Sequence, residues 1–309
     1  MAFAPESKTG NQEEMKIMTK ALRCLAVLVL PLVLSVCSFA GAGAAHPEMV
    51  VSAQWLADHL KDPKVVVLHV ADKVADYRRG HIPGARYLST DDFTTGNDVE
   101  LPAVDKLKAV FEKLGVSDDT RVVIYTTAWP PTAGRAFFTL DYLGHDKTSL
   151  LDGGIEHWMV EQRPITTETP QVISGKFTPH VHEEVRALLG EAKQATEPDS
   201  KELLVDSRPM RRYKDGHPAG AVPVYWQETL VDPNEDPVFL SPEKLRALFE
   251  SRGIKPGKKL VTYCEVGLQA SHVYFVAKYL GYDAAMYDGS MHEWSMVNNL
   301  PVVKGDSVR

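Results

Sequence analysis

One ordered series of short motifs runs twice through this chain of 309 residues, and a series repeated over that length requires two similar folding units in tandem. Tyr77-Arg78-Arg79-Gly80-His81-Ile82-Pro83-Gly84-Ala85 recurs as Tyr213-Lys214-Asp215-Gly216-His217-Pro218-Ala219-Gly220-Ala221. Downstream, Val122-Val123-Ile124-Tyr125-Thr126 corresponds to Leu260-Val261-Thr262-Tyr263-Cys264, and Tyr142-Leu143-Gly144 to Tyr279-Leu280-Gly281. Asp152-Gly153-Gly154 with Trp158 matches Asp288-Gly289-Ser290 with Trp294. The expected organisation is an upstream segment over 1–45, a first domain over 46–165, a linker over 166–180 and a second domain over 181–309. The linker is placed there because the stretch from Thr166 to about Pro179 carries turn formers and no sustained apolar period.

Each copy alternates short β-branched runs with helical patterns, which predicts an α/β domain built on a parallel sheet. Val65–Leu68 and Val122–Tyr125 are strand candidates in the first copy, followed by a helix through Arg135 to Leu143. In the second copy the candidates are Glu202–Asp206 and Lys259–Tyr263, followed by a helix from Ala270 to Leu280 with Val273, Val276, Ala277 and Leu280 at helical intervals. Gly281 is placed to stop it. A hydrophobic content of 44% with 24% charged residues fits a folded chain of about two domains. A net charge of −7 argues against a nucleic-acid binder, because no broad basic excess exists to neutralise phosphates.

The amino end has a different character. Lys16, Lys20 and Arg23 precede an apolar run from Cys24 to Phe39, and small residues follow from Ala40 to Ala45. This is the layout of a secretory signal peptide, with cleavage expected after Ala42, Ala44 or Ala45 and initiation at Met15 or Met18 as an alternative start. The run is short for a membrane span and is interrupted by Pro31, so a mature protein without a stable span, periplasmic or secreted, is expected. Leu34-Ser35-Val36-Cys37 resembles a lipoprotein processing site, but Val36 stands where a small residue is usual, and lipid anchoring at Cys37 is not expected.

Export would remove Cys24 and Cys37 and leave Cys264 without an intramolecular partner. Such a thiol is buried and inert, paired between chains, or reactive. The surroundings of Cys264 point to reactivity. It stands where a buried strand enters a short loop and then a helix, a place where backbone N–H groups lack intrahelical partners and stabilise an anion. The matching position in the first copy is Thr126, followed by Thr127-Ala128-Trp129-Pro130-Pro131, and the two prolines supply no N–H groups.

With its two Gly-His segments, its strand-to-Cys loop and its paired Asp-Gly-Gly and Asp-Gly-Ser stretches followed by Trp, the chain resembles a tandem-domain rhodanese, a sulfurtransferase of the thiosulfate or 3-mercaptopyruvate type. The resemblance spans nearly all of the expected mature region. It implies a five-stranded parallel core flanked by helices in each domain, a reactive cysteine in the second and a degenerate, non-catalytic first domain. It further implies transfer of sulfane sulfur through a persulfide on Cys264, from a small-molecule donor to a thiol or cyanide-like acceptor, or to a protein acceptor.

The residues expected at the site follow from that picture. N–H groups from Glu265, Val266, Gly267, Leu268, Gln269 and Ala270 would cradle the anionic sulfur, with Gly267 permitting the turn. Arg208 and Arg212 resemble family segments that place basic groups at the site mouth, where guanidinium suits sulfonate, carboxylate or thiosulfate oxygens. Asp206 is expected to order the strand end, and His217 a turn, while His272 is expected to face either solvent or the domain interface. No cofactor and no metal are expected, because no cysteine cluster or histidine constellation suits one. Glu265 departs from the family pattern of a basic residue or Gly after the cysteine, and its carboxylate opposes thiolate formation unless it points away or pairs with Arg208. Three alternatives stay open. A related phosphatase would need a loop-ending Arg that Leu268, Gln269, Ala270 and Ser271 do not supply; a non-catalytic sulfur carrier would accept persulfide without turnover; an inactive structural protein would bury Cys264.

Overall fold

The computed structural model describes residues 1–2, 43–96, 100–127 and 129–306. The leader, with Cys24 and Cys37, lies outside the described residues, as does Ala128 of the first-domain loop. In the first domain the chain runs β1 (Val50–Val51), α1 (Ala53–His59), β2 (Val65–Ala71), α2 (Val74–Arg79), β3 (Arg86–Ser89), α3 (Val104–Lys113), β4 (Arg121–Thr126), α4 (Pro130–Tyr142), β5 (Thr148–Leu151) and α5 (Gly154–Val160). The second continues with β6 (Arg186–Ala187), α6 (Leu189–Gln194), β7 (Glu202–Asp206), α7 (Met210–Asp215), β8 (His217–Pro218), β9 (Val222–Pro223), β10 (Leu230–Asp232), β11 (Asp236–Phe239), α8 (Pro242–Ser251), β12 (Lys259–Tyr263), α9 (Leu268–Tyr279), β13 (Ala284–Tyr287), α10 (Ser290–Met296) and β14 (Val302–Val303).

Among the described residues each domain holds one five-stranded parallel sheet, in the order β1-β5-β4-β2-β3 and β6-β13-β12-β7-β9. The same strand order in both copies is the three-dimensional counterpart of the repeated motifs. Two small antiparallel pairs, β8 with β14 and β10 with β11, decorate the second domain.

Both faces of each sheet are covered, so the central strands read as continuous apolar runs. Period-two alternation still sorts their side chains: Val66, Leu68, Val122 and Ile124 face one core while Val67, Val123 and Tyr125 face the opposite one with Trp158. In the second domain Val261, Tyr263 and Tyr287 meet Trp294 on the outer face, and Leu260 lies in the core that also contains the first domain's inner face. The two domains therefore share one hydrophobic core.

Helices α4 and α9, each following one of the two paired loops, form the centre of that shared core. Gly134 makes their contact close, since a Cβ there would stand 2.9 Å from the backbone of His272. Phe137 meets Phe275 edge-on and Phe138 meets Tyr274 in the same way. Every residue of α9 from Ala270 to Val276 is buried, a wider apolar surround than the helical stripe read from sequence, because α9 packs on its own sheet and on α4 at once.

The repeated Tyr-x-x-Gly-His motif has a packing role in both copies. Tyr77 stacks on His81 with ring centroids 3.8 Å apart, and Tyr213 on His217 at 3.6 Å. Each tyrosine hydroxyl donates to the carbonyl eight residues on, Ala85 or Ala221, and each histidine Nδ1 bonds back to its tyrosine's carbonyl. Between the domains, Thr166 exchanges backbone hydrogen bonds with His81, so the connecting segment is tied down where it leaves the first domain.

Candidate active site

The second-domain site stands at the carboxyl ends of three neighbouring parallel strands, where open α/β sheets place their ligand crevices. β7 ends at Asp206, β12 leads into Cys264, and β13 leads into Asp288. Register fixes the neighbours: Tyr263 lies opposite Asp206, and Thr262 lies between Val205 and Met286.

After β12 the backbone turns through Cys264–Gly267 and enters α9 at Leu268. Gly267 has φ +87°, a left-handed conformation that L side chains adopt at a cost, and its N–H donates to Cys264 Sγ at 3.1 Å. The N–H groups of Ala270, Val266 and Gln269 are also directed at that sulfur. Glu265 and Leu268, expected among the donors, have other places: Glu265 turns a half-exposed carboxylate toward Arg208, and Leu268 opens the helix.

Cys264 is buried, and burial raises its thiol above the ordinary range, with the hydrogen bonds from Ala270, Val266, Gln269 and Gly267 pulling the other way. Donors at a loop-to-helix turn favour the anion, but here desolvation outweighs them. Burial alone is the property of a structural cysteine. A sulfur ringed by N–H donors differs from one packed only among apolar side chains, because such donors match an anion better than a neutral thiol.

A second turn braces the first. Ser290 has φ +51°, uncommon outside glycine, and its Oγ accepts the Cys264 N–H at 3.2 Å while donating to the Tyr287 carbonyl at 2.9 Å. Met291 N–H donates to the Cys264 carbonyl and His292 N–H to that of Glu265, so α10 holds the cysteine turn from below. The matching first-domain residue, Gly154, has φ +59° without a side chain.

Arg208 is buried and clamped: Nη2 and Nε bond to Asp206 at 2.7 and 3.0 Å, Nη2 also reaches the Gly216 carbonyl, and Nη1 faces Glu265 Oε2 at 3.5 Å. Burial disfavours its charge, but the bonds and charge of Asp206 outweigh that and raise its pKa further. Tyr263 donates its hydroxyl to Asp206 Oδ2, the oxygen that Arg208 Nη2 also bonds, at 2.7 Å. Asp206 thus orders the strand end, and Arg208 offers the site only Nη1. Arg212 sits exposed on α7 and makes no hydrogen bond or ion pair with the cysteine loop among the described residues. His272 is fully buried at the domain interface, which removes the solvent alternative; its Nε2 bonds to Thr229 Oγ1 at 2.9 Å, and burial lowers its pKa to about 3. Among the described residues no group of three or more His, Cys, Asp or Glu is placed to hold a metal ion, and no helix is long and apolar enough to cross a membrane.

The first domain's equivalent loop is built otherwise. Thr126 spends its hydroxyl on the Val70 carbonyl and Thr132 Oγ1, at 2.9 and 2.8 Å, and Pro130 and Pro131 open α4 without N–H groups. A narrow apolar cavity of about 30 Å³ lies there, lined by Thr126, Pro130, Leu151, Phe239 and His272 among others.

The family model for the rhodanese-like domain matches the chain twice, over residues 52–161 and 182–296. The sulfur carrier protein TtuD of Thermus thermophilus is 36% identical over 286 residues, covering 85% of this chain and 99% of that protein. The 3-mercaptopyruvate sulfurtransferase of Homo sapiens is 32% identical over 291 residues, covering 82% of this chain and 94% of its own length. The thiosulfate sulfurtransferase of Corynebacterium glutamicum is 28% identical, with 86% and 93% covered. Among solved structures, SseA from Escherichia coli, described as a 3-mercaptopyruvate sulfotransferase of "Rhodanese" fold, superposes with a TM-score of 0.71 at 25% identity, covering 78% of this chain and 98% of its own.

Proposed function

The chain belongs to the rhodanese family, and because its second domain alone pairs that fold with a cysteine in a ring of N–H donors, we propose that it is an exported sulfurtransferase working through a Cys264 persulfide. The observation that carries this reading is the cradle of Val266, Gly267, Gln269 and Ala270 around Sγ. The Cys264 thiolate attacks the outer sulfur of a donor such as thiosulfate; a new S–S bond forms, the donor's S–S bond breaks, and sulfite leaves with the electron pair. With 3-mercaptopyruvate the C–S bond breaks instead, and the carbon takes the donor's thiol proton to give pyruvate. An acceptor thiolate or cyanide then attacks the outer persulfide sulfur and returns Cys264 as thiolate. Splitting one transfer into two steps gives ping-pong kinetics. Glu265, held by Arg208, places a negative charge at the mouth and disfavours small dianionic donors. Export rests on the leader, and sequencing the amino terminus of the secreted or periplasmic product tests it.

The deciding experiment incubates the protein with thiosulfate or 3-mercaptopyruvate, follows sulfur delivery to cyanide or a thiol, and measures a single added sulfur on the Cys264 peptide by mass. Cys264→Ser should lose both the added mass and turnover; transfer at the original rate in that variant removes Cys264 as the nucleophile. A second reading is favoured by the 36% identity to a protein named as a sulfur carrier: persulfide forms on Cys264 and passes only to a protein partner. A persulfide that forms without turnover to small acceptors selects that reading.

A further inference from the structure

The first domain supplies one charged side chain to the catalytic loop. Arg135, on α4, is completely buried within the run Ala133-Gly134-Arg135-Ala136-Phe137. Its Nη1 donates to Asp288 Oδ1 at 2.5 Å. That carboxylate comes from the second domain and closes the turn whose next residues carry Ser290. The other oxygen of Asp288 accepts from Arg186 Nε at 3.0 Å and from the Leu101 N–H, also a first-domain group, at 3.2 Å. A Cβ built on Gly267 would stand 3.1 Å from Arg135 Nη1 and 3.2 Å from the Asp288 carbonyl. The guanidinium therefore lies against the residue whose N–H meets Cys264 Sγ.

Two independent contacts converge on the cysteine from this one ion pair. Through Gly267 the arginine bounds the left-handed turn, and through Asp288 it braces the Ser290 turn that holds the Cys264 N–H. Arg135 and Arg186 both face Asp288, and Arg186 also meets half-exposed Glu100, so the four charges balance, and the guanidinium of Arg135 is the one that lies against Gly267.

We propose that Arg135, contributed by the domain that lacks the nucleophile, is a positioning residue that holds the Cys264 loop in its anion-accepting form. The proposal rests on the sulfur-transfer reading for its purpose, while its test reads the thiol directly. It also gives the first domain a duty in the reaction: α4 docks its Arg135 against Gly267 of the cradle.

The test measures iodoacetamide alkylation of Cys264 in the full chain by peptide mass as a function of pH, for the original protein, Arg135→Gln and Arg135→Lys. Arg135→Gln keeps a donor N–H but loses the charge, and its alkylation at neutral pH should fall about tenfold, with the profile displaced about one unit to higher pH. Arg135→Lys keeps the charge but replaces the planar guanidinium with a compact ammonium and should fall about threefold. A folded Arg135→Gln protein with lowered melting temperature and an unchanged pH profile overturns the proposal, since a purely structural arginine predicts that result. If Arg135→Gln does not fold, an unchanged profile in Arg135→Lys overturns it equally. Failure of the original protein to form persulfide, with the pH displacement intact, sinks sulfur transfer and leaves the positioning role standing.

Discussion

The turn after β4 and the turn after β12 occupy the same place in two copies of one fold, yet they are built to different ends. The second turns its backbone inward: Gly267 takes a left-handed conformation, and four N–H groups converge on Cys264. The first is poorer in donors, because Pro130 and Pro131 supply no N–H groups and Thr126 uses its hydroxyl on the strand beside it. The same contrast recurs one strand over, where Gly154 in the first domain is matched by Ser290, a residue held at positive φ while its hydroxyl braces the cysteine turn. Strain of that kind is tolerated where the surroundings over-determine it, and at this turn the second domain places a serine where the first has glycine. Duplication kept the scaffold; chemistry was assigned through backbone donors.

Changes that make one turn resemble the other should break this contrast, most severely at the cradle. Gly267→Ala forces a Cβ toward Arg135 Nη1 and strains the turn. We expect turnover to fall roughly 100-fold, the scale of losing one preorganised donor, with the Cys264 persulfide yield falling in parallel; steady-state kinetics with thiosulfate checks it. An unchanged rate would show that the left-handed turn is dispensable.

The next effect is on pH. Because burial raises the Cys264 thiol, sulfur transfer should increase with pH through and beyond the ordinary thiol range near 8.5, about tenfold per unit below the thiol's own pKa. The linked stability runs oppositely. A pKa raised in the folded state stabilises it below the unfolded thiol's pKa, and that contribution is lost as pH rises through the folded value. Cys264→Ala should therefore flatten the decline of melting temperature above about pH 8.5, and identical declines in both proteins would contradict this. In acid the histidines act. His272, lowered to about 3, and His69, lowered to about 4 chiefly by burial, stay neutral in the fold, so stability is present above the ordinary histidine value near 6.5 and is lost as pH falls toward these values.

A smaller change is expected at the mouth. Glu265→Gln removes a half-exposed charge already paired with Arg208, and the KM for thiosulfate should fall by roughly two- to fivefold, the range of an exposed ion pair. An equal change for a neutral thiol acceptor would show that the carboxylate does not select by charge. The smallest effect tests the comparison directly: Thr126→Cys in a Cys264→Ser background should gain no persulfide, because Pro130 and Pro131 leave the first turn with fewer donors. Sulfur found on residue 126 by peptide mass would show that a cysteine suffices without a cradle.

Much of this architecture was legible in the residues. The repeat announced two α/β domains, strand candidates such as Val122–Tyr125 and Lys259–Tyr263 lie within observed strands, and the helix after Cys264 began two residues earlier than its apolar period suggested. Donors at Val266, Gly267, Gln269 and Ala270 followed from the loop's place before a helix. Arg208 was harder to read: a guanidinium two residues from a strand-end Asp turns inward to it, so a residue expected to meet substrate became mostly a brace. Ser290, Asp288 and Arg135 were missed. Ser290 left a trace, a serine where the other copy has glycine, and Arg135 left another, a charge set within the apolar run Ala133-Gly134-Arg135-Ala136-Phe137-Phe138; Asp288 is an Asp in both copies and gave no hint of its partners.

The chain's order of residues by itself determined the duplicated scaffold, the cysteine at the second strand-to-helix turn with threonine at the first, and the donor-poor first turn, because each depends on local periodicity, on which residues lack N–H groups, and on where one thiol falls. Tertiary structure decided the protonation preference of Cys264 and the first domain's part in the site. Desolvation depends on how completely the packed chain closes over a sulfur, and the Arg135–Asp288 pair joins residues far apart in the chain through contacts that no local pattern encodes.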